Sequence, residues 1–255
     1  MVKCIATDLD RTLLRKDKSI SSFTADVFSR CRAQNIKLVF ATARPLRSIR
    51  QYQAIANPDA LIVHNGAVIY EGGDRPIFHC GISPAITQKI IADLLRAMPG
   101  CQIAAELNDV MYCNFDPTVY WSNTEYQPSD FTALPNIPAE KLIVGTNRAD
   151  IIAPLLPDHC YVQIGEGKVA LILPRAATKW NALQHLANHW DISPAAIAAF
   201  GDDLNDLEML QNCGIGVAVA NALDEVKAIV DDVCSCNEDD GAARWIANHI
   251  LKESR

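Results

Sequence analysis

The sequence lacks the marks of several protein classes. No apolar run approaches the roughly 20 residues that a membrane-spanning helix needs. Met1-Val2-Lys3 leads into a short apolar segment interrupted at Thr7 and Asp8, without the apolar region of a secretory signal. There is no basic tract, and the formal net charge is −7, which argues against nucleic acid or an anionic membrane as partner. Cysteines in metal-binding pairs are missing as well: the nine cysteines are scattered, and Cys234-Ser235-Cys236 has no second matching pair. Internal repeats and low-complexity linkers are absent. The expectation is a soluble cytoplasmic protein with reduced thiols. A small anionic substrate stays open, because a metal and a few cations can reverse the field in one pocket of an acidic chain.

What is present is ordinary globular composition, 49% apolar and 21% charged over 255 residues, long enough for one large domain or two small ones. The first third alternates strand and helix. Lys3 to Thr7 is a strand, Ser21 or Ser22 caps a helix to about Gln34, Ile36 to Ala41 is a strand, Pro45 suits the first turn of another helix, and Leu61 to Val63 is a third strand. That alternation predicts right-handed βαβ units and a parallel sheet covered by helices on both faces. The middle, from about Ser83, reads differently: helix, two strands, a Pro-containing irregular stretch from Asp116 to Pro138, strand, helix and a hairpin turning at Gly165-Glu166-Gly167-Lys168. Alternation returns near Ala177. The expected fold is therefore α/β: a Rossmann-like three-layer core with a parallel sheet, formed by residues 1–81 and 176–255, into which an α+β domain of residues 82–175 is inserted.

Four segments concentrate chemistry, and three of them directly follow a core strand, where ligand sites of open α/β sheets lie. In Asp8-Leu9-Asp10-Arg11-Thr12, two carboxylates leave one strand end, a costly arrangement unless a cation offsets it. A polar turn with capping carboxylates would explain the same residues. In Thr42-Ala43-Arg44-Pro45, a hydroxyl and backbone N–H groups meet a helix start, suited to a phosphoryl oxygen or to simple capping. Lys179 stands early in a helix, where the macrodipole disfavours a cation unless it faces an anion. Gly201-Asp202-Asp203-Leu204-Asn205-Asp206 carries three carboxylates and an amide, more than a helix cap requires.

In this order and placement, the segments resemble the haloacid dehalogenase superfamily of phosphohydrolases: Asp-x-Asp-x-Thr at Asp8, Asp10 and Thr12, then Thr42, Lys179, and Gly201-Asp202 with Asp206. The Gly-Asp-Asp-x-Asn-Asp form and His64-Asn65-Gly66-Ala67 are similar to the Cof-like branch, whose cap lies between the second and third motifs. The chain departs from that branch where Ala43 and Trp180 replace the usual glycines. The resemblance implies a phosphatase acting on a small phosphorylated metabolite, sugar phosphates by default. Asp8 would be the nucleophile, and Asp10 the acid and then the base. Asp8, Asp202 and the Asp10 backbone carbonyl would hold Mg²⁺. Thr42, Lys179, Asn205 and the N–H groups of Leu9 and Ala43 would hold the phosphoryl oxygens. Asp206 and Asp203 would stand behind them, Asp206 orienting Lys179 or a water on the metal.

Other patterns carry less. Gly165-Glu166-Gly167-Lys168 lacks the first glycine and the Ser/Thr of a P-loop, with Val162 and Val169 at those positions. His185 and His189 share a helix face without the glutamate of a metalloprotease motif, which favours a structural or surface role. Asp231-Asp232 and Glu238-Asp239-Asp240 read as turn and helix-start residues. In the inserted domain Glu106, Asn108, Tyr112, Asn114 and Tyr120 suit either a substrate or a solvated sheet face. A phosphotransferase or phosphomutase on the same fold, and a non-catalytic ligand-binding protein, are the alternatives, and either a monomer or a small homo-oligomer fits.

Overall fold

The computed structural model describes residues 1–165 and 167–251. Of the turn expected at residues 165–168, Glu166 lies outside the described residues. The chain divides into two compact units, Met1–Phe78 with Thr178–Arg255, and His79–Ala177.

The first unit begins with β1 (Cys4–Thr7), α1 (Ser22–Ala33), β2 (Lys37–Ala41), α2 (Arg50–Ala56) and β3 (Ala60–Val63), followed by β4 (Val68–Glu71) and β5 (Pro76–His79). Ser21 caps α1 by accepting the Thr24 N–H at 3.0 Å. The second unit contains α3 (Pro84–Ala97), β6 (Ile103–Leu107), β7 (Val110–Cys113), β8 (Gln127–Pro128), β9 (Lys141–Val144), α4 (Ala149–Ile152), β10 (Cys160–Gly165) and β11 (Val169–Pro174). The chain returns to the first unit with α5 (Lys179–His189), β12 (Ile197–Gly201), α6 (Leu207–Asn212), β13 (Ile215–Val219), α7 (Asp224–Lys227), β14 (Asp232–Cys234) and α8 (Gly241–His249).

The first unit is built on an eight-stranded sheet in the order β14-β13-β12-β1-β2-β3-β4-β5. From β14 to β3 every pairing is parallel, and β4 runs antiparallel to β3. β1 lies centrally, with Thr7 opposite Phe200 on one side and Phe40 on the other. Its residues, and those of β3 and β12, are buried throughout, as expected of strands covered on both faces. Helices α1, α2 and α8 group on one side, while α5 and α6 pack together and against β3, β4, β12 and β13. This is the three-layer α/β arrangement expected from the alternation. His185 packs against Phe78 with ring centroids 4.6 Å apart and the rings tilted by 39°, and His189 and Trp190 both reach Glu71, so the histidine pair serves packing.

Four strands were not anticipated, one of them β8, a two-residue strand inside the stretch from Asp116 to Pro138 expected to be irregular. β4 is a short apolar run, Val68-Ile69-Tyr70, separated from the end of β3 by only four residues. β5 is an edge strand with exposed residues. β14 begins at Asp232, which the sequence suggested was a turn residue; it pairs with Val217, and its carboxylate accepts the Trp245 indole N–H at 2.7 Å.

The second unit is a six-stranded sheet, β10-β11-β9-β6-β7-β8, with apolar residues on both faces. Ile103, Ala105 and Leu107 join the cluster containing α3 residues Ile90, Ile91 and Leu94. Ala104 alternates to the other face with Met111, Cys113 and Ile143. Asn108 and Asp109, both at positive φ, form the two-residue turn between β6 and β7. No helix among the described residues is long and apolar enough to cross a membrane.

Candidate active site

The parallel sheet delivers the first, second and fourth motif segments to one edge. β1 ends at Thr7 and Asp8 follows, its N–H still on the Phe200 carbonyl at 3.0 Å. β2 ends at Ala41 and Thr42 follows, its N–H on the Ile62 carbonyl at 2.8 Å. β12 ends at Gly201 and Asp202 follows. Lys179 opens α5, which Thr178 caps through its hydroxyl on the Asn181 N–H.

Asp8, Asp202, Asp206 and Lys179 are all buried. The Lys179 Nζ donates to Asp8 Oδ1 at 2.6 Å and to Asp206 Oδ1 at 2.7 Å. Asp206 Oδ2 accepts the N–H groups of Asp202 and Asp203 at 3.1 and 3.2 Å. Asp202 Oδ1 accepts the Thr12 hydroxyl at 2.9 Å, and its other oxygen lies 3.5 Å from Arg11 Nε. Gly201 is required here, since a Cβ on it would lie 2.5 Å from Asp206 Cβ. Asp203 caps the following turn through the Leu204 N–H at 2.7 Å.

Carboxylate oxygens of Asp8, Asp202 and Asp206 lie within 4.8 Å of one another. Burial pushes the Asp8 carboxyl up, Asp206 and Asp202 add to this, and Lys179 opposes it. Burial and Asp206 likewise raise Asp202 to about 6. Burial disfavours the Lys179 ammonium, but Asp206 and Asp8 outweigh it and the net shift is upward. Were all three buried carboxylates ionised, they would outnumber the one buried ammonium by two charges, the excess a divalent cation would cancel. Asp206 accepts three hydrogen bonds, against one each at Asp8 and Asp202, so Asp8 and Asp202 keep more of their lone pairs for a metal. The donor set is all oxygen, as a hard divalent ion requires.

Asp10 stands apart from that trio. Arg44 grips it from two nitrogens, at 2.5 and 2.6 Å, and Lys18 adds a third bond at 2.6 Å. Burial would raise this carboxyl, but the Arg44 and Lys18 hydrogen bonds and charges outweigh it and hold it below its usual range. Thr42 is buried, with its hydroxyl accepting the Arg44 N–H at 3.2 Å. Ala43 is not among the residues at positive φ, so its methyl costs the backbone nothing here. Leu9 is buried, and its carbonyl closes the next turn by accepting from Leu13 and Leu14. Asn205 donates to Asn65 Oδ1 at 2.9 Å. Trp180 is half-buried.

Several partners were missed in the sequence. Thr12, Arg44 and Asn65 stood inside the quoted motifs, without the roles their bonds now suggest. Lys18 carried no signal, because its reach to Asp10 depends on the turn it occupies at φ 64°. In the second unit, Asn114 bridges Ile103 N–H and the Cys101 carbonyl, Tyr120 donates to Gln102, and Tyr112 packs on the α3-side cluster. Glu106 is buried, opposite Lys141 across the β6–β9 pairing, and Asn108 donates its N–H to Glu140. A surface groove of about 800 Å³ in this unit is lined by Tyr112, Phe115, Tyr126 and Asp130 among others.

Residues 5–246 match the model of the haloacid dehalogenase-like hydrolases. The chain belongs to that family. It is 28% identical to the 5-amino-6-(5-phospho-D-ribitylamino)uracil phosphatase YitU of Bacillus subtilis, covering 96% of this chain and 97% of the relative. It is 28% identical to the HMP-PP phosphatase of Cronobacter sakazakii over 89% and 88% of the two chains. Among solved structures, TM0651 from Thermotoga maritima superposes with a TM-score of 0.88 at 25% identity, covering 99% of each chain. The Cof-like phosphatase class expected from the Gly201–Asp206 and His64–Ala67 segments is the class of these relatives, and this hydrolase is an enzyme of that class.

Proposed function

We propose that this enzyme is a Mg²⁺-dependent phosphatase of small phosphorylated metabolites, sugar phosphates foremost, acting in the cytoplasm through an aspartyl-phosphate on Asp8. The observation that carries the reading is the buried group of Asp8, Asp202 and Asp206 around Lys179 at the strand ends.

In this reaction an Asp8 carboxylate oxygen attacks phosphorus as the ester oxygen departs, and Asp10 gives that oxygen its proton. Held by Arg44 and Lys18 the Asp10 carboxyl is ionised, so it must first leave both and take up a proton from solvent before it can give one. A water then gives its proton to Asp10 and attacks the aspartyl-phosphate, freeing Asp8 and inorganic phosphate. Thr42, Lys179, Asn205 and the N–H groups of Leu9 and Ala43 bind the phosphoryl oxygens, and their fixed positions spare reorganisation during the reaction. Asp206 holds Lys179 in place, while Asp203 caps the loop that presents Asp202 and Asn205. Asp8, Asp202 and the Asp10 carbonyl would hold the metal, which offsets repulsion between the anionic nucleophile and the phosphate.

The unit His79–Ala177 would serve as the cap that selects the leaving group. The name of the B. subtilis relative places the phosphate of its substrate on a ribityl chain, which supports an alcohol of sugar or polyol type here. The test is turnover of a panel of phosphorylated metabolites with Mg²⁺, scored by kcat/KM, beside p-nitrophenyl phosphate. Activity is expected to vanish in Asp8→Asn, and full turnover by that variant would overturn the proposal.

A further inference from the structure

The turn His64-Asn65-Gly66 after β3 has three consecutive residues at positive φ, 50°, 59° and 107°. A left-handed residue other than glycine costs about 1–2 kcal/mol, so two in succession must be held by their surroundings. The surroundings are the motif segments. The His64 N–H donates to the Arg44 carbonyl and the Asn65 N–H to the Thr42 carbonyl, both at 3.0 Å. Asn65 Oδ1 accepts from the Asn205 amide at 2.9 Å. Gly66 lies so close to the residue preceding Lys179 that a Cβ on it would stand 2.1 Å from the Thr178 carbonyl oxygen. Asn65 is itself buried. One turn therefore touches the segments that present Thr42, Lys179 and Asn205.

We infer that Asn65 is a positioning residue of the phosphate site, setting Thr42 through its backbone and Asn205 through its side-chain amide. The inference rests on the proposed function, in which Thr42 and Asn205 bind phosphoryl oxygens. The amide bond is a tie between two uncharged side chains from separate strand ends, β3 and β12. With Asn65 Oδ1 in place, the Asn205 Nδ2 has a fixed direction; without it, the Asn205 side chain is free to turn about its χ angles.

The test separates backbone from side chain. Asn65→Gly keeps the left-handed turn and the Thr42 bond while removing the amide, whereas Asn65→Ala penalises the turn as well. Each variant is measured for thermal melting, for p-nitrophenyl phosphate kinetics and for inhibition by inorganic phosphate. Asn65→Gly is expected to melt slightly below the parent and to raise the Ki for phosphate and the KM about tenfold, more than that loss of stability explains. Asn65→Ala is expected to lose more and to melt lower. Combined with Asn205→Ala, Asn65→Gly should add nothing further, because both remove one tie. A parental Ki in Asn65→Gly, a loss that simply tracks the melting temperature, or additivity with Asn205→Ala would each overturn the inference. Asp8→Asn assayed in parallel separates this from the underlying reading: turnover surviving that substitution removes the phosphatase mechanism, while Asp8-dependent turnover with a parental Asn65→Gly removes only the positioning role.

Discussion

Replacing Lys179 by methionine tests the charge balance of the site. The ammonium makes two charge-assisted bonds, to Asp8 and Asp206, inside a group with almost no solvent access. Hydrogen bonds to charged groups contribute about 1.5–3 kcal/mol each, and breaking a buried pair by deleting one partner costs about 3–5 kcal/mol. Methionine has similar length and fills the space, so little cavity cost is added. Lys179→Met should therefore lose about 3–5 kcal/mol, since two carboxylates remain buried without their cation. With a urea slope of about 2–3 kcal/mol/M, the midpoint falls by about 1–2.5 M. Urea titration in EDTA is the assay, followed by tryptophan fluorescence, because Trp180, Trp190 and Trp245 all lie in the unit that holds the site. Adding Asp206→Asn removes one orphaned charge and should recover roughly 2 kcal/mol, because a bond lost with both partners costs less than a bond lost with one. Both variants should be inactive. A single variant within about 1 kcal/mol of the parent, or a double variant no more stable than the single, would refute the charge-balance reasoning.

Two further perturbations follow from the geometry. Gly66→Ala puts a Cβ 2.1 Å from the Thr178 carbonyl at a φ of +107°, and should cost about 2–4 kcal/mol in melting experiments, together with more than tenfold in kcat/KM through displacement of Lys179; parental values for both would show that the turn yields freely. Glu140 is buried in the second unit, and burial first, with Glu106 and Asp109, raises it from 4.5 to about 7. A raised carboxyl contributes stability that is fully present below pH 4.5 and lost as pH rises through about 7, a change of about 3 kcal/mol at 1.36 kcal/mol per unit. Glu140→Gln should flatten that slope, measured as the protection of the Asn108 N–H in hydrogen exchange between pH 4.5 and 7.5; equal slopes in parent and variant would remove Glu140 as the source.

The parallel core was legible because each buried strand is a short apolar run followed at once by polar chemistry, as at Thr7-Asp8, Ala41-Thr42 and Gly201-Asp202. The β6–β7 pair and the β10–β11 hairpin were legible from their apolar runs as well. β5 and β14 were not, since an exposed edge strand and a three-residue strand opening on aspartate carry no apolar period. Lys179 illustrates the limit at the site. Its position early in a helix hinted at an anion, but the two carboxylates it joins are 171 and 27 residues away, a convergence that only the sheet order supplies. The partners of Asp10 were hidden for a different reason: Lys18 reaches back through an irregular turn, and no periodicity governs such a path.

The two carboxylates of Asp8-Leu9-Asp10 are held by interactions of different strength, and this fits the two parts proposed for them. Asp8 continues the β1 ladder through its N–H and binds a buried lysine, so moving it would break a sheet hydrogen bond and expose an unpaired charge to an apolar interior. Asp10 is over a third exposed, and its partner Lys18 is about half exposed. Ion pairs at such exposure are worth about 0–1 kcal/mol each, because water competes for both ends and the long side chains lose freedom in making them. Arg44 is less exposed and grips with two nitrogens, so it supplies most of the hold. Asp10 can thus exchange partners at a cost a bound substrate can meet, while Asp8 cannot. A nucleophile gains from being fixed in line with its target. A group that must first give a proton to a departing oxygen and then take one from a water gains from being free to turn.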